Sequence, residues 1–120
     1  MDDIRLGAVE SRFADIIWQN EPIQSGALVK LCSENLSWKK STTYTVLKKL
    51  CERGIFQNVN GTVSSVIKKE EFFSLQSEKI VEENFGGSLP AFIAAFTHRK
   101  QLSQDEINEI RRMIEETGEE

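Results

Sequence analysis

Asn60-Gly61, set between two short runs of mixed apolar and polar residues at 55–59 and 62–67, restricts this chain more than any other feature. Both central residues of a two-residue type I′ turn need φ > 0, which asparagine and glycine adopt readily and most pairs resist. The spacing therefore predicts a β-hairpin, and what precedes it is helical in pattern. The first stretch, Ala8–Asn20, places Val9, Phe13, Ile16 and Ile17 on one stripe with Trp18 at its edge, and Glu21-Pro22 breaks it. Ser25 then offers an N-cap for a second helix with the stripe Ala27, Leu28, Leu31 and Cys32, ending near Asn35. A third runs from an expected N-cap at Ser41 to a stop at Gly54, with Thr43, Val46, Leu47 and Leu50 on its apolar side.

Three helices followed directly by a hairpin is the winged helix-turn-helix order, with the third helix as the reading element and the hairpin as the wing. At 100° per residue the side opposite the apolar stripe collects Ser41, Tyr44, Thr45 and Lys48, flanked by Thr42 and Lys49, with Lys39 and Lys40 just ahead. Hydroxyls and one aromatic ring can meet base edges in a major groove while lysines contact flanking phosphates. Lys39, Lys40, Lys48, Lys49 and Arg53 face only Glu52 as a local acid, in a chain of formal net charge -4. The expected DNA-contacting set is Lys39, Lys40, Ser41, Thr42, Thr43, Tyr44, Thr45, Lys48, Lys49 and Arg53, although the same helical wheel turns Thr43 toward the core. The competing account of this stretch is a lysine-rich face that is simply solvated.

Charge is unevenly spread. Residues 1–70 hold ten Lys+Arg against eight Asp+Glu, and residues 71–120 hold five against eleven, net +2 and -6. A uniformly acidic chain would argue against a polyanionic partner, but the local potential is what such a partner meets. No apolar run approaches the roughly 20 residues that span a bilayer, and the start, MDDIRLG, has neither a basic nor an apolar leader pattern, so a cytoplasmic location without membrane insertion is expected. Cys32 and Cys51 have no paired spacing, and the single histidine, His98, is distant; no metal or other cofactor is expected, and the thiols read as free and partly buried, with a redox switch as the other reading.

Residues 70–120 read as three further amphipathic helices. The first, 70–85, carries Phe73, Ile80 and Phe85 with Phe72 and Val81 beside them, and ends at Gly86-Gly87. Ser88 can cap the next, which contains Leu89, Phe92, Ile93 and Phe96. Ser103 with Glu106 forms a capping box for the last, whose stripe is Ile107, Ile110, Met113 and Ile114, and Gly118 closes it. So short a segment seldom buries enough surface alone. The expected organisation is a winged helix-turn-helix at 1–69 and a helical dimerisation region at 70–120, a mainly α chain with a small β-hairpin. The dimerising residues are Phe73, Ile80, Phe85, Leu89, Phe92, Ile93, Phe96, Ile107, Ile110 and Ile114. Two-fold association would set two reading helices in successive major grooves, roughly 34–36 Å apart. The alternative is a monomer whose last helices fold back on the winged helix.

The chain also resembles the penicillinase-repressor family of bacterial transcription factors (BlaI/MecI type) over nearly its whole length. The resemblance is carried by VESRFADIIW, the segment from Trp38 through Thr42, Thr45 and Leu50 to RGI, the glycine pair in NFGGS, and LSQDEINEIRRM, in that order and spacing. It implies a homodimeric repressor on a palindromic double-stranded operator, ahead of β-lactamase or related penicillin-resistance genes, relieved by a protease linked to a membrane sensor. The family's cleaved Asn-Phe bond aligns with Ala95-Phe96. Three departures stand out: Tyr44 where some relatives have a basic residue, a wing (NGTVSSVIKK) poor in basic and aromatic residues, and alanine in place of the asparagine at the cleavage pair. Copper-responsive relatives carry clustered C-terminal cysteines, whereas none follows Cys51 here.

An enzyme is a poor rival, since the chain has no nucleophile motif, metal spacing or phosphate-cradling glycine loop. The pairs Glu82-Glu83 and Glu115-Glu116 lie in acidic helical runs and read as solvated faces. Two other rivals keep the fold: a winged helix that meets an acidic protein, and a repressor that answers a ligand or a thiol signal instead of proteolysis.

Overall fold

The computed structural model describes residues 5–118. The element order is α1 (Ala8–Asn20), β1 (Ile23–Gln24), α2 (Ser25–Leu36), α3 (Lys40–Glu52), β2 (Phe56–Val59), β3 (Thr62–Ser65), α4 (Lys69–Phe85), α5 (Leu89–Arg99) and α6 (Gln104–Thr117). Two compact units divide the chain, one running to Glu78 and the other starting at Lys79, so the first turns of α4 belong to the first unit.

Within the first unit each helix delivers its apolar stripe to one core. Phe13, Ala14 and Ile17 come from α1, Leu28 and Cys32 from α2, Leu47 and Leu50 from α3, and Ile55, Phe56 and Val63 from the hairpin region. Trp18 joins α1 to the hairpin and to α4, with its ring 5.4 Å from those of Phe56 and Phe72 and its indole N–H donating to the Ile67 carbonyl at 3.1 Å. Trp38, in the turn between α2 and α3, stacks at 5.2 Å on Phe13. Two stripe residues lie outside this core: Val9 is 52% exposed, and Ala27 is also exposed. The stripes of α1 and α2 are therefore narrower than their periodicity suggests.

Asn60 (φ 53°) and Gly61 (φ 87°) adopt the left-handed pair that the hairpin turn requires, and Gly61 N–H donates to Asn58 Oδ1 at 3.0 Å. The expected two-stranded hairpin forms from β2 and β3, and a third strand joins it. Ile23 and Gln24 pair with Val63 and Thr62, giving a three-stranded antiparallel sheet in the order β1-β3-β2. A two-residue strand has no readable periodicity, so nothing in the sequence marks it. Its pairing also moves the start of α2. Gln24 stays extended as the N-cap, Ser25 becomes the first helical residue, and the Ser25 N–H is satisfied by the Gly61 carbonyl at 2.8 Å rather than by a capping side chain. The cap of α3 shifts likewise: Lys39 is the extended N-cap residue and Ser41 lies inside the first turn, because the Trp38 ring anchored on Phe13 sets where the chain enters the helix.

The base of the wing is held by Glu21. Its carboxylate accepts from Ser65 N–H at 2.7 Å and Ser65 Oγ at 3.0 Å, with Lys68 Nζ 3.7 Å away. Burial pushes this carboxyl up, but the Ser65 hydrogen bonds and Lys68 more than offset it and hold it below the ordinary value.

In the second unit the helix ends are all locally made. Gly86 and Gly87, both at positive φ, end α4, with Gly87 N–H donating to the Val81 carbonyl at 3.0 Å. Ser88 Oγ accepts from Ala91 N–H, and Ser103 and Glu106 exchange the two bonds of a capping box.

Two outcomes are expected. Phe72, 1% exposed, is the contribution of α4 to the first core, so Phe72→Ala in the full chain should lower the unfolding free energy by about 3–5 kcal/mol, measured as a fall in the urea midpoint. Because the Glu21 pKa is lowered on folding, its stabilisation is complete above the unfolded value of about 4.3 and is lost as pH falls through the folded value. Glu21→Gln should flatten that acidic part of the Tm profile.

Candidate nucleic-acid interface

Burial of Thr43, Leu47 and Leu50 determines what α3 presents outward. Lys39, Lys40, Ser41, Thr42, Thr45, Lys48 and Lys49 are exposed, and they form one continuous strip along the helix. The turn that sets α3 against α2 passes through Ser37 in the left-handed region (φ 58°), with Trp38 N–H donating to the Cys32 carbonyl at 3.3 Å.

Three members of the expected contact set do not stand free on that strip. Thr43 is fully buried, its hydroxyl donating to the Lys39 carbonyl one turn earlier at 3.3 Å, so it is a core residue and not a contact. A threonine can fill a core position in a helix because its hydroxyl finds this local acceptor. Tyr44 is half-buried against the core, and its hydroxyl donates to Ser25 Oγ at 3.0 Å. Arg53 is 16% exposed and turned toward Glu10 and the Arg5 carbonyl, away from the strip.

Glu10 is an acid that no local pattern links to α3. It accepts from Gly7 N–H at the start of α1, and its carboxylate lies 3.3 Å from Lys49 Nζ and 3.6 Å from Arg53 Nη1. The Gly7 bond, with Lys49 and Arg53, holds this carboxyl below its ordinary range against the opposing effect of burial. Lys49 is thus partly neutralised, although its side chain remains 60% exposed. Among the described residues, Lys39, Lys40 and Lys48 have no acidic partner within ion-pair distance, and their full charge faces solvent.

Beside α3, the wing exposes Asn58, Val59 and Asn60, with Thr62 and Ser64 partly accessible, and no cation between residues 56 and 65. The interface is therefore a cationic, hydroxyl-bearing helix flanked by a neutral polar ribbon. Chemically, such a surface presents ammonium groups on α3 and neutral hydrogen-bond donors and acceptors on the wing. Among the described residues no cluster of three His, Cys, Asp or Glu could hold a metal ion. Burial pushes the thiols of Cys32 and Cys51 up, Cys51 further by the neighbouring Glu52, so both are protonated at neutral pH and poor nucleophiles.

The chain matches the family model described as penicillinase repressor over residues 6–116. It belongs to the penicillinase repressor family. Over 116 residues it is 24% identical to the penicillinase repressor of Bacillus licheniformis, covering 93% of this chain and 91% of that one. It is 20% identical over 113 residues to the methicillin resistance regulatory protein MecI of Staphylococcus aureus strain Mu50, and 19% identical to MecI of Mammaliicoccus sciuri, each alignment covering 91% of this chain and 92% of the relative. Six helices and the small antiparallel sheet make the family member described here a winged helix-turn-helix followed by a helical region. No helix among the described residues is long and apolar enough to cross a membrane.

The two kinds of lysine on α3 separate in a salt titration. Lys48→Ala should weaken binding almost equally on specific and random duplex and lower the slope of log affinity against log salt by about one, the value of one phosphate contact. Glu10→Gln should tighten binding to random duplex by no more than about fivefold, the range of an exposed ion pair, by releasing Lys49.

Proposed function

We propose that the chain is a homodimeric transcriptional repressor whose two α3 helices enter successive major grooves of a palindromic operator. The observation that carries the reading is the exposed strip of α3, where lysines without acidic partners and short hydroxyls stand together in a chain of net charge -4. In this reading Lys39, Lys40, Lys48 and Lys49 contact phosphates, and Ser41, Thr42 and Thr45 meet base edges from the N-terminal half of the helix, where base contacts concentrate. The names of the relatives favour genes of penicillin or methicillin resistance as the regulated set. Residues 1–69 supply the DNA-binding part, braced by Phe72, and residues 70–120 the dimerisation region.

Support for the second half of the reading lies in the second unit. Among its described residues, 79–118, not one side chain is buried. Leu89 and Ile93 of α5 and Ile107, Ile110, Met113 and Ile114 of α6, with Leu102 between the helices, line an apolar groove of about 590 Å³. Leu89, Ile93, Phe96, Met113 and Ile114 are each 38–55% exposed, a surface that an isolated soluble unit would not keep open to water. A second copy covers it. Relief of repression, in the same reading, comes from a sensor-linked protease cutting at Ala95-Phe96, both exposed on α5. The cut would separate α6 from the helices before it and dissolve the dimer.

Sites selected by the full chain from random duplexes should be palindromic, with half-site centres about one helical turn apart; a single unpaired half-site would overturn the dimeric reading. Ile110→Asp places a charge in the groove and should give monomers by sedimentation, with operator affinity reduced on the order of a hundredfold or more through lost bivalency.

A further inference from the structure

Tyr44 lies on the reading helix between the buried Thr43 and the exposed Thr45, and its position invites a base-reading role. Its surroundings oppose one. The ring packs against the core, and the single hydroxyl proton is committed to Ser25 Oγ at 3.0 Å. Ser25 opens α2, and its backbone N–H donates in turn to the carbonyl of Gly61, the second residue of the wing turn, at 2.8 Å. Next to it Gln24 pairs with Thr62 across β1 and β3, and its side-chain amide donates to Thr62 Oγ1 at 3.1 Å. A continuous path of hydrogen bonds therefore runs from the middle of α3, through the first residue of α2, to the tip of the wing.

The wing needs such a tether. A hairpin of two four-residue strands is marginal by itself, and β1 adds only two residues of pairing. Glu21 grips the far end of β3 at Ser65, which leaves the turn at Asn60-Gly61 free to swing unless something holds it near α3. Ser25 is placed to do so.

We infer that Tyr44 is a positioning residue: through Ser25 it sets the wing turn against the reading helix, so that DNA affinity depends on the Tyr44 hydroxyl although that hydroxyl touches no base. The inference rests on the DNA-binding reading of α3 and deepens it by dividing α3 into residues that contact DNA and one that sets the distance between its two contacting elements.

The test uses the full chain with Tyr44→Phe, Ser25→Ala and the double variant, on duplexes that the wild-type chain selects from random sequence. Each single change should lower affinity on the order of threefold to tenfold, the effect of losing one hydrogen bond. The double variant should bind no more weakly than the worse single, since both remove the same link. The bases selected should stay those of the wild type, and the Ser25 amide should exchange with solvent faster in Tyr44→Phe, with or without DNA. Additive losses, or a changed base preference in Tyr44→Phe with none in Ser25→Ala, would make Tyr44 a reader and overturn the inference. Unchanged Ser25 exchange in Tyr44→Phe would overturn it as well. If the wild-type chain selects no site, the DNA reading fails, and the exchange rates still decide whether Tyr44 holds the wing.

Discussion

The rotation of α3 about its own axis is the constraint on which the rest of this molecule depends. Thr43, Leu47 and Leu50 meet Phe13, Leu28 and Val63 in a core that admits almost no solvent, and each residue step turns the helix by 100°. Choosing the buried side therefore chooses the exposed one. A rotation by a single residue would bring Lys48 to the position of Leu47, and burying an unpaired ammonium is far costlier than any gain on the outer face could offset. The strip of Ser41, Thr42, Thr45, Lys48 and Lys49 is thus held in place by groups that lie beneath it.

Electrostatics is arranged around the same helix. Three acids of the first unit pair with cations that lie off the strip: Asp15 with Lys69 at 2.7 Å, Glu21 with Lys68, and Glu10 with Arg53. Only Lys49 is drawn partly inward. A segment whose formal charges nearly balance can therefore still present a cluster of lysines along α3, because several of its acids pair elsewhere, with Glu52 the exposed acid at the end of that helix. Net charge alone hides this.

The two units reach stability by different routes. The first closes its own core through Trp18, Phe56 and Phe72. The second has well-formed helix ends at Ser88 and Ser103 but no buried side chain among its described residues, so its local order comes from capping and its apolar groove between α5 and α6 stays open to solvent. Such a unit is well suited to a reversible switch. In the proposed dimer its folding and its association share the same apolar area, so disturbing one disturbs the other.

Much of this architecture was legible without coordinates, and for local reasons. Helix α1 begins and ends where its periodicity and Pro22 place it; Asn60-Gly61 makes its turn through backbone preferences that belong to those two residues; Ser88, Ser103 and Glu106 cap helices with bonds that span three positions. Family membership was readable although overall identity to the named relatives is 24% or less. Tertiary structure alone decided what depends on residues far apart in the chain. Ile23-Gln24 becomes a strand only because Val63-Thr62 lies beside it. Ser25 and Ser41 lose their capping roles to neighbours that pairing and packing hold extended. Phe72 leaves the apolar face of α4 for the core under Trp18. Tyr44 turns to Ser25, 19 residues away, and Glu10 reaches Lys49 and Arg53 across the fold. Propensity, capping and periodicity act over one or two turns, which the sequence by itself determines. The partner of a tyrosine hydroxyl or a carboxylate is whichever group folding brings within 3–4 Å, and no local pattern encodes that.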